Sequence, residues 1–313
     1  MSETKKRIKI KHIILAVIAV ILVIVIVQGV SICMYYPYYK SHKKVINIDY
    51  DVKENEGKLR IMSCNVRCLN PMDKGRKSWF YRADKFMEGI KEQAPGIIGF
   101  QEVTKWQYSY LTYSLAQYDS IITYRDKAFN SEGCPVFYRK DSYTLIEDDS
   151  FWLSDTPDEM SKGWGAACYR ICTYVILEDK VTGNQFVIFN THLDHISEPA
   201  RINGINLVLE KIKQFGDLPS VIMGDFNAEE DTETYKSVTE NFLDAKYQTE
   251  NTMTCCTYQN FGKELDNDCI DYFMISKTGF EVLEYKVLNK TYDGVYASDH
   301  FQLYTLLCFS ETE

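Results

Sequence analysis

The chain has 313 residues, of which 45% are hydrophobic and 25% are charged. These proportions are ordinary for a folded protein and allow a sizeable core in one large domain or two small ones. The formal net charge is −9, and residues 1–12 carry five basic residues and one acid, which leaves −13 on the remainder. Because affinity for nucleic acid depends largely on Lys and Arg that neutralise phosphates, so acidic a remainder disfavours a general nucleic-acid binder.

An apolar run near the amino terminus predicts a single-pass membrane protein. Residues 13–27 are apolar without interruption, and the largely apolar stretch continues to residue 34. About 20 such residues cross a bilayer as a helix, and the basic residues before the run place the amino terminus in the cytoplasm. A cleaved signal peptide is the alternative, but no small-x-small cleavage site follows cleanly. The predicted segments are a basic cytoplasmic tail (1–12), a transmembrane anchor (13–36), a stalk (37–57) and an extracytoplasmic domain (58–309).

Ten cysteines are compatible with disulfides in an exported domain but do not establish any pairing. Several of them fall within strand-like apolar runs, where small buried thiols are common. There is no Cys-x-x-Cys pair and no Cys/His spacing that suits zinc, so the cysteines predict no zinc site.

Two strands in the first part of the domain end in polar residues. Residues 59–66 form a strand-like run with Asn65 near its end, and on its own such an amide is most simply a hydrogen-bonded core residue. A helix follows, with apolar residues spaced from Trp79 to Ile90. Residues 97–100 then form a buried strand that leads to Glu102. Burial of a bare charge is costly, so Glu102 needs a partner, and a divalent cation or an arginine would serve.

The middle of the chain brings further strands with polar ends. Residues 106–113 have helical spacing, and residues 121–124 and 135–138 are typical of paired strands. Arg170 begins a later strand and either clamps a phosphate or pairs with Glu102. Residues 186–192 form a buried strand whose polar end carries Asn190 and His192 on one face. A lone His is more often structural, but its place beside Asn190 and Asp194 favours a functional site.

The most informative stretch is Val221-Ile222-Met223-Gly224-Asp225-Phe226-Asn227. Three apolar residues predict a buried strand that ends where Gly224 lets the backbone approach a ligand. Period-two alternation points Asp225 and Asn227 the same way, although an acid and an amide at a strand end also suit a simple turn cap. Further along, Asp271 starts a strand and Asp299-His300 precedes another. A histidine with an acid to orient it is the arrangement that a general base needs.

Together, Asn65, Gln101-Glu102, Asn190-Thr191-His192-Leu193, Gly224-Asp225-Phe226-Asn227, Ile270-Asp271-Tyr272 and Ser298-Asp299-His300 resemble, in this order, the motifs of the endonuclease/exonuclease/phosphatase family, the DNase I-like superfamily. The resemblance covers roughly residues 58–309. It implies an α/β fold, a four-layer α/β sandwich of two mixed sheets between helices, here preceded by the transmembrane helix. The loop before Arg170 resembles a bacterial, often exported, subgroup.

The resemblance also implies roles for the site residues. The metal-binding residues would be Asn65, Glu102 and Asp299, whose oxygen donors suit Mg²⁺, with Mn²⁺ as an alternative. The catalytic residues would be His192, Asp225, Asn227, Asp271 and His300. The substrate-binding residues would be Arg170 and Asn190. The pattern leaves open whether His300 or Asp225 takes the proton of the attacking water.

The function implied is a membrane-anchored, metal-dependent phosphoesterase that acts outside the cytoplasm by in-line attack of water on phosphorus. Nucleic acids, phospholipid head groups and small phosphate esters are the competing substrate classes, so an extracellular nuclease or a sphingomyelinase-like phospholipase is the alternative. The acidic balance disfavours the nuclease, and no apolar hairpin is evident that would enter a bilayer, which favours small esters. A non-catalytic surface binding protein with the same fold is less consistent with the complete motif set.

Overall fold

The computed structural model describes residues 3–266 and 268–310, without the side chains of residues 3–8, 24, 27, 28 and 31–33. The helices are α1 (Glu3–His42), α2 (Trp79–Gln93), α3 (Lys105–Ser114), α4 (Glu198–Lys213) and α5 (Glu233–Thr239). The strands are β1 (Lys58–Asn65), β2 (Ile97–Gln101), β3 (Val103–Thr104), β4 (Tyr118–Ile121), β5 (Glu132–Gly133), β6 (Val136–Arg139), β7 (Tyr143–Trp152), β8 (Ile171–Asp179), β9 (Gln185–His192), β10 (Ser220–Asp225), β11 (Phe242–Asp244), β12 (Thr252–Met253), β13 (Asp271–Ser276), β14 (Phe280–Val287) and β15 (Leu303–Phe309).

Most of the strands form two mixed sheets. The first has the order β12-β14-β15-β1-β2-β6-β4 and the second the order β11-β13-β10-β9-β8-β7. In each sheet one central pair is parallel, β1 with β2 and β9 with β10, while the flanking pairs next to them are antiparallel. A short pair, β3 with β5, stands apart from both sheets.

Three buried apolar clusters define four layers. One cluster lies between the two sheets and includes Ile61, Ile188 and Val221. A second joins the first sheet to α2 and α3, and a third joins the second sheet to α4 and α5. Because residues of the central strands alternate between the inner and the helix-facing cluster, both faces of each sheet are covered, as continuous apolar strands require. The α/β sandwich that the sequence predicted is confirmed.

The amino-terminal region differs from the prediction in its stalk. Residues 37–57 were expected to form a stalk, but Tyr39, Ile46 and Ile48 are buried against α2 and α3, and the Ile46 amide donates to the Ser114 carbonyl at 2.9 Å. The apolar residues of this segment are therefore part of the core. Within the described residues, no helix meets the length and hydropathy that crossing a membrane requires. The predicted anchor (13–36) includes six residues whose side chains lie outside the description.

Candidate active site

Strand pairing assembles the site around Asp225. In the parallel pair β9–β10 Asp225 lies opposite His192, and in the antiparallel pair β10–β13 it lies opposite Asp271. In the other sheet, the parallel pair β1–β2 places Asn65 opposite Gln101, the residue before Glu102. The carboxyl ends of both parallel pairs thus reach the same edge of the sandwich, where ligand sites of α/β proteins are commonly found.

Gly224 is required by the close approach of two strands. Its φ is +137°, and a Cβ built there would lie 1.9 Å from the carbonyl oxygen of Thr191. No side chain fits at that distance, so the glycine lets β10 run tight against β9 and deliver Asp225 to the cleft. The role that the sequence suggested, backbone approach to a ligand, is corrected to backbone approach to the neighbouring strand.

A histidine–aspartate pair stands at the centre of the site. His300 Nδ1 lies 2.8 Å from Asp271 Oδ2, which fixes the imidazole and turns Nε2 towards Asp225 Oδ2 at 3.6 Å. The second histidine, His192, places its Nε2 3.4 Å from the same Asp225 oxygen. The predicted catalytic residues His192, Asp225, Asp271 and His300 therefore form one contiguous cluster.

The two histidines have opposite electrostatic environments. Burial alone would lower the pKa of His300, but the carboxylates of Asp271 and Asp225 outweigh it and raise the pKa well above its ordinary value. For His192, burial and then the nearby charges of Arg170 and Arg125 hold the pKa well below its ordinary value. His300 is thus stabilised as imidazolium and His192 as neutral imidazole.

Glu102 is held in place by its neighbours from β1. Its Oε2 accepts from the Cys68 amide at 2.8 Å and its Oε1 from Asn65 Nδ2 at 3.2 Å. The same Asn65 nitrogen donates to Asp225 Oδ2 at 2.9 Å, so the amide links both carboxylates. Glu102 has a φ of +62°, in the left-handed region where a non-glycine residue is strained.

The remaining predicted residues fall into two groups. Asn227 lines the cleft with its amide donating to the Leu193 carbonyl at 3.1 Å, and Asp299 lines it beside Arg67, 3.4 Å from Nη1. Asn190, by contrast, is fully buried and donates to the carbonyls of Phe100 and Pro135 at 2.8 and 2.9 Å. It does not line the cleft. Because both its N–H groups are used within the protein, a substrate-binding role for Asn190 is not supported.

Arg170 points into the cleft but does not pair with Glu102. Its Nη2 lies 3.0 Å from His195 Nδ1 and its Nε 3.5 Å from Asp194 Oδ2. That Nε has no hydrogen-bond partner among the described residues, and neither has the buried Nε of Arg125. These Nε atoms face the carboxylates of Asp194 and Asp126, at 3.5 and 3.8 Å. Two guanidinium groups that line one cleft are suited to an anion.

The whole arrangement forms a cleft of about 390 Å³, here called the charged cleft. Its lining comprises Arg67, Cys68, Glu102, Arg125, Glu132, Cys168, Arg170, His192, His195, Asp225, Asn227, Tyr258, Ile270, Asp299 and His300. The sequence did not single out Arg67, Arg125, Glu132, His195 or Tyr258. The nearest available signal was His195, one residue after the Asp194 that the strand end had already drawn attention to.

The charged cleft fits a divalent cation by its donor chemistry. Burial and the neighbouring charge of Asp271 raise the pKa of Asp225, and burial and Glu102 raise the pKa of Glu132. Such upward shifts mean that several carboxylates repel one another in a buried space, which a dication would relieve. Ligand atoms of Glu102, His192 and Asp225 lie within 4.8 Å of one another, as do those of Asp225, Asp271 and His300. The residues present therefore fit a metal ion.

Comparison with known proteins places this fold and site. Residues 62–300 match the sequence model of the Endonuclease/Exonuclease/phosphatase family, so the chain belongs to that family. It is accordingly a phosphate-ester hydrolase of the nuclease and phosphatase type, and enzymes of this family depend on divalent metals.

Several solved structures are similar to this chain. An endonuclease/exonuclease/phosphatase from Bacteroides vulgatus is 32% identical with a TM-score of 0.77, covering 81% of this chain and 99% of its own. A mannosyl-6-phosphatase from Bacteroides thetaiotaomicron is also 32% identical, with a TM-score of 0.76 and coverage of 80% and 100%. Among curated proteins, Nocturnin of Drosophila melanogaster is 26% identical over 166 residues, which are 49% of this chain and 24% of Nocturnin.

Proposed function

We propose that this chain is a Mg²⁺-dependent phosphomonoesterase that removes the phosphate of a small phosphorylated sugar. The observation that carries the proposal is the charged cleft, whose lining brings the guanidinium groups of Arg125 and Arg170 together with His300, which is paired with Asp271. Guanidinium donors of this kind suit the terminal oxygens of a phosphate. The likeness to a mannosyl-6-phosphatase, at 32% identity over nearly the whole of that chain, supports the choice of a sugar phosphate.

The reaction is hydrolysis of the ester bond at phosphorus. The oxygen of water forms a bond to phosphorus while the bond from phosphorus to the sugar oxygen breaks. The water loses one proton and the leaving sugar oxygen gains one, so that it becomes a hydroxyl. The water's proton passes to the Asp225–His300 pair, whose facing atoms lie 3.6 Å apart and which acts as one coupled unit. His192, 3.4 Å from the same Asp225 oxygen, and Asn227 line the charged cleft and are assigned to the phosphoryl oxygens or the leaving oxygen.

Glu102, whose ligand atoms lie within 4.8 Å of those of Asp225, would hold Mg²⁺ together with Asn65 and Asp299, the other two ligands that the family resemblance implies. Their oxygens are the hard ligands that this ion prefers. When bound, the ion neutralises charge on the phosphoryl group as the transition state forms. Arg170 and Arg125 also line the charged cleft and add positive charge there. The protein groups thereby orient the phosphate before any bond changes.

A nuclease is the second candidate, since Nocturnin and CCR4-Not 3'-5'-exoribonuclease subunits are among the relatives. The chain spans only 24% to 31% of those proteins, and its acidic balance disfavours a polyanionic substrate.

The test is a substrate panel with the full chain and Mg²⁺. Phosphate release from mannose 6-phosphate is compared with hydrolysis of bis-p-nitrophenyl phosphate and with nicking of a plasmid, with His300→Ala as the inactive control. We expect mannose 6-phosphate, the monoester, to be hydrolysed faster than the other substrates. Faster cleavage of the diester or of the plasmid would overturn it in favour of a phosphodiesterase or nuclease.

Membrane attachment through residues 13–36 and an extracytoplasmic domain stay predictions from the sequence. Supporting them are the basic flank and the apolar side chains of α1, which are exposed wherever they are described between Ile10 and Met34. A carboxy-terminal reporter that is active only in the cytoplasm should be silent, and its activity would contradict the placement.

A further inference from the structure

A second cavity, of about 430 Å³, differs in character from the charged cleft. Its apolar lining comes from Leu69, Pro71, Phe80, Trp106 and Phe129. Its polar lining comes from Asn70, Ser78, Thr104, Lys105 and Asn130. We call it the aromatic pocket. None of its ten lining residues also lines the charged cleft.

Three chain segments nevertheless contribute to both cavities. Residues 67 and 68 line the charged cleft and residues 69–71 line the aromatic pocket. Residue 102 lines the cleft and residues 104–106 line the pocket, while the loop from 125 to 132 gives its two ends to the cleft and its tip to the pocket. The pairing of β3 with β5 sets Thr104 of the pocket opposite Glu132 of the cleft. The same three chain segments therefore separate the two cavities, which are neighbours in the fold.

One side of the aromatic pocket is a supported aromatic surface. The rings of Phe80 and Trp106 meet edge to face with centroids 6.3 Å apart. Phe80 is 5% exposed and is backed by the ring of Tyr39 at 5.3 Å, whereas Trp106 is 49% exposed. A fixed ring beneath a half-exposed one offers a ligand an apolar face at little cost in side-chain entropy.

The loop that carries Phe129 is held by its own hydrogen bonds. The Arg125 amide donates to the Glu132 carbonyl at 2.9 Å, and the Asp126 amide to Ser131 Oγ at 3.1 Å. At the tip of this closed loop the Phe129 side chain is 88% exposed. A single exposed aromatic residue is not unusual, but this one borders a cavity whose other walls are already apolar.

We propose that the aromatic pocket binds the ring of the sugar whose phosphate lies in the charged cleft. This inference rests on the proposed function and adds its specificity site. A sugar ring has C–H faces that pack on aromatic side chains and hydroxyl groups that hydrogen-bond to amide, hydroxyl and ammonium groups, and the pocket supplies both kinds of partner. Its size lies within the range of small-molecule sites.

The test uses two primary phosphate esters that differ in the ring, mannose 6-phosphate and glycerol 1-phosphate. Phosphate release is measured with the full chain for wild type, Phe129→Ala and Trp106→Ala. Each variant should lower kcat/KM for mannose 6-phosphate about tenfold, mainly through KM, and change that for glycerol 1-phosphate less than about twofold. Tyr113→Ala is the matched control, because Tyr113 is also on α3 and 49% exposed but does not line the pocket.

Three results would overturn the assignment. If the variants changed kcat/KM equally for both esters, or for neither, the pocket would not bind the sugar ring. Loss confined to phosphatidic acid in vesicles would assign the pocket to a lipid. If wild type releases no phosphate from either ester, the proposed function fails, and calorimetric titration with mannose 6-phosphate then tests whether the aromatic pocket binds the sugar. Binding that Phe129→Ala weakens would support the assignment. Binding that Phe129→Ala leaves unchanged, or no binding at all, would overturn it.

Discussion

The charged cleft and the polar residues just behind its wall are both buried, but they use their hydrogen-bonding groups differently. In the cleft, Arg125 and Arg170 keep unused N–H donors and Asp225 is crowded by Asp271. Behind it, Asn190 gives both N–H groups to carbonyls, and Asp194 accepts from four backbone amides. A buried carboxylate whose pKa is raised by burial and by a neighbouring carboxylate is typical of a functional site, whereas fully hydrogen-bonded polar groups are typical of a structural one. We therefore expect substitutions in the charged cleft to lower activity and substitutions of the polar residues behind it to lower stability.

The largest effect is expected at His300, because it lies between Asp271 at 2.8 Å and Asp225 at 3.6 Å, where the attacking water is to be activated. His300→Ala should lower kcat by about 10³-fold without unfolding the chain, as removal of a general acid or base does. Asp271→Asn leaves the imidazole in place but removes the charge beside it. Its kcat should lie between those of wild type and His300→Ala. Initial rates with mannose 6-phosphate measure both. Equal rates for wild type and His300→Ala would remove His300 from the reaction.

A smaller effect is expected at Arg170, whose guanidinium is assigned to the phosphate. Arg170→Ala should raise KM about 10- to 100-fold, the loss typical of a charge-assisted contact. Arg170→Lys keeps the charge but loses the fork, so it should recover only part of the affinity. The exposed Arg76 provides the control, and Arg76→Ala should leave KM unchanged. Unchanged KM in Arg170→Ala would place the phosphate elsewhere.

Asn190 represents the hydrogen-bonded polar residues behind the charged cleft. Asn190→Ala removes the side-chain donor to the carbonyls of Phe100 and Pro135 and the acceptor of Gln101 Nε2, although the Phe100 amide still donates to the Pro135 carbonyl. This loss should lower the free energy of unfolding by about 2 kcal/mol. Chemical denaturation measures this loss, and the KM of the folded fraction should match that of wild type. A raised KM with unchanged stability would restore the substrate-binding role that the sequence suggested.

The smallest effect is expected at Asp194 and depends on pH. Burial alone would raise the pKa of Asp194, but four backbone N–H donors lower it to about 2. A carboxylate with a depressed pKa adds stability that is fully present above its unfolded-state pKa of about 4 and is lost as the pH falls towards 2. The free energy of unfolding of wild type should therefore exceed that of Asp194→Asn by about 1 kcal/mol at neutral pH. Thermal unfolding measured from pH 7 to pH 3 should show the stability difference between wild type and Asp194→Asn becoming smaller. A difference that becomes larger as the pH falls would contradict this prediction.

Much of this arrangement could be predicted because strand ends carry their chemistry in the local sequence. Glu102, Asp225, Asp271 and His300 all stand next to apolar strands, and the structure brings them together. Asn190 shows the limit of the same rule. Period-two alternation gives the face of a strand but not the depth, and Asn190 lies two residues inside the rim, where it packs against Gly99.

The loop residues could not be predicted in the same way. Arg125 and Glu132 have no periodic pattern, and they face the charged cleft only because the loop between them closes on itself. Arg67 likewise lies beyond the end of β1, with a φ of +55° that no local motif announces. Residues 37–57 looked like a stalk because they are rich in charge, whereas the few apolar residues among them determine their packing.

The most direct measurement is phosphate release by the full chain after removal of metal ions with EDTA, followed by titration with Mg²⁺. We expect no release of phosphate from mannose 6-phosphate without the ion and saturable recovery of the rate with it. Because Glu102 is assigned to the ion, Glu102→Gln should need a higher Mg²⁺ concentration for half-maximal rate. Full activity in EDTA, or an unchanged Mg²⁺ requirement in Glu102→Gln, would contradict the assignment of the charged cleft.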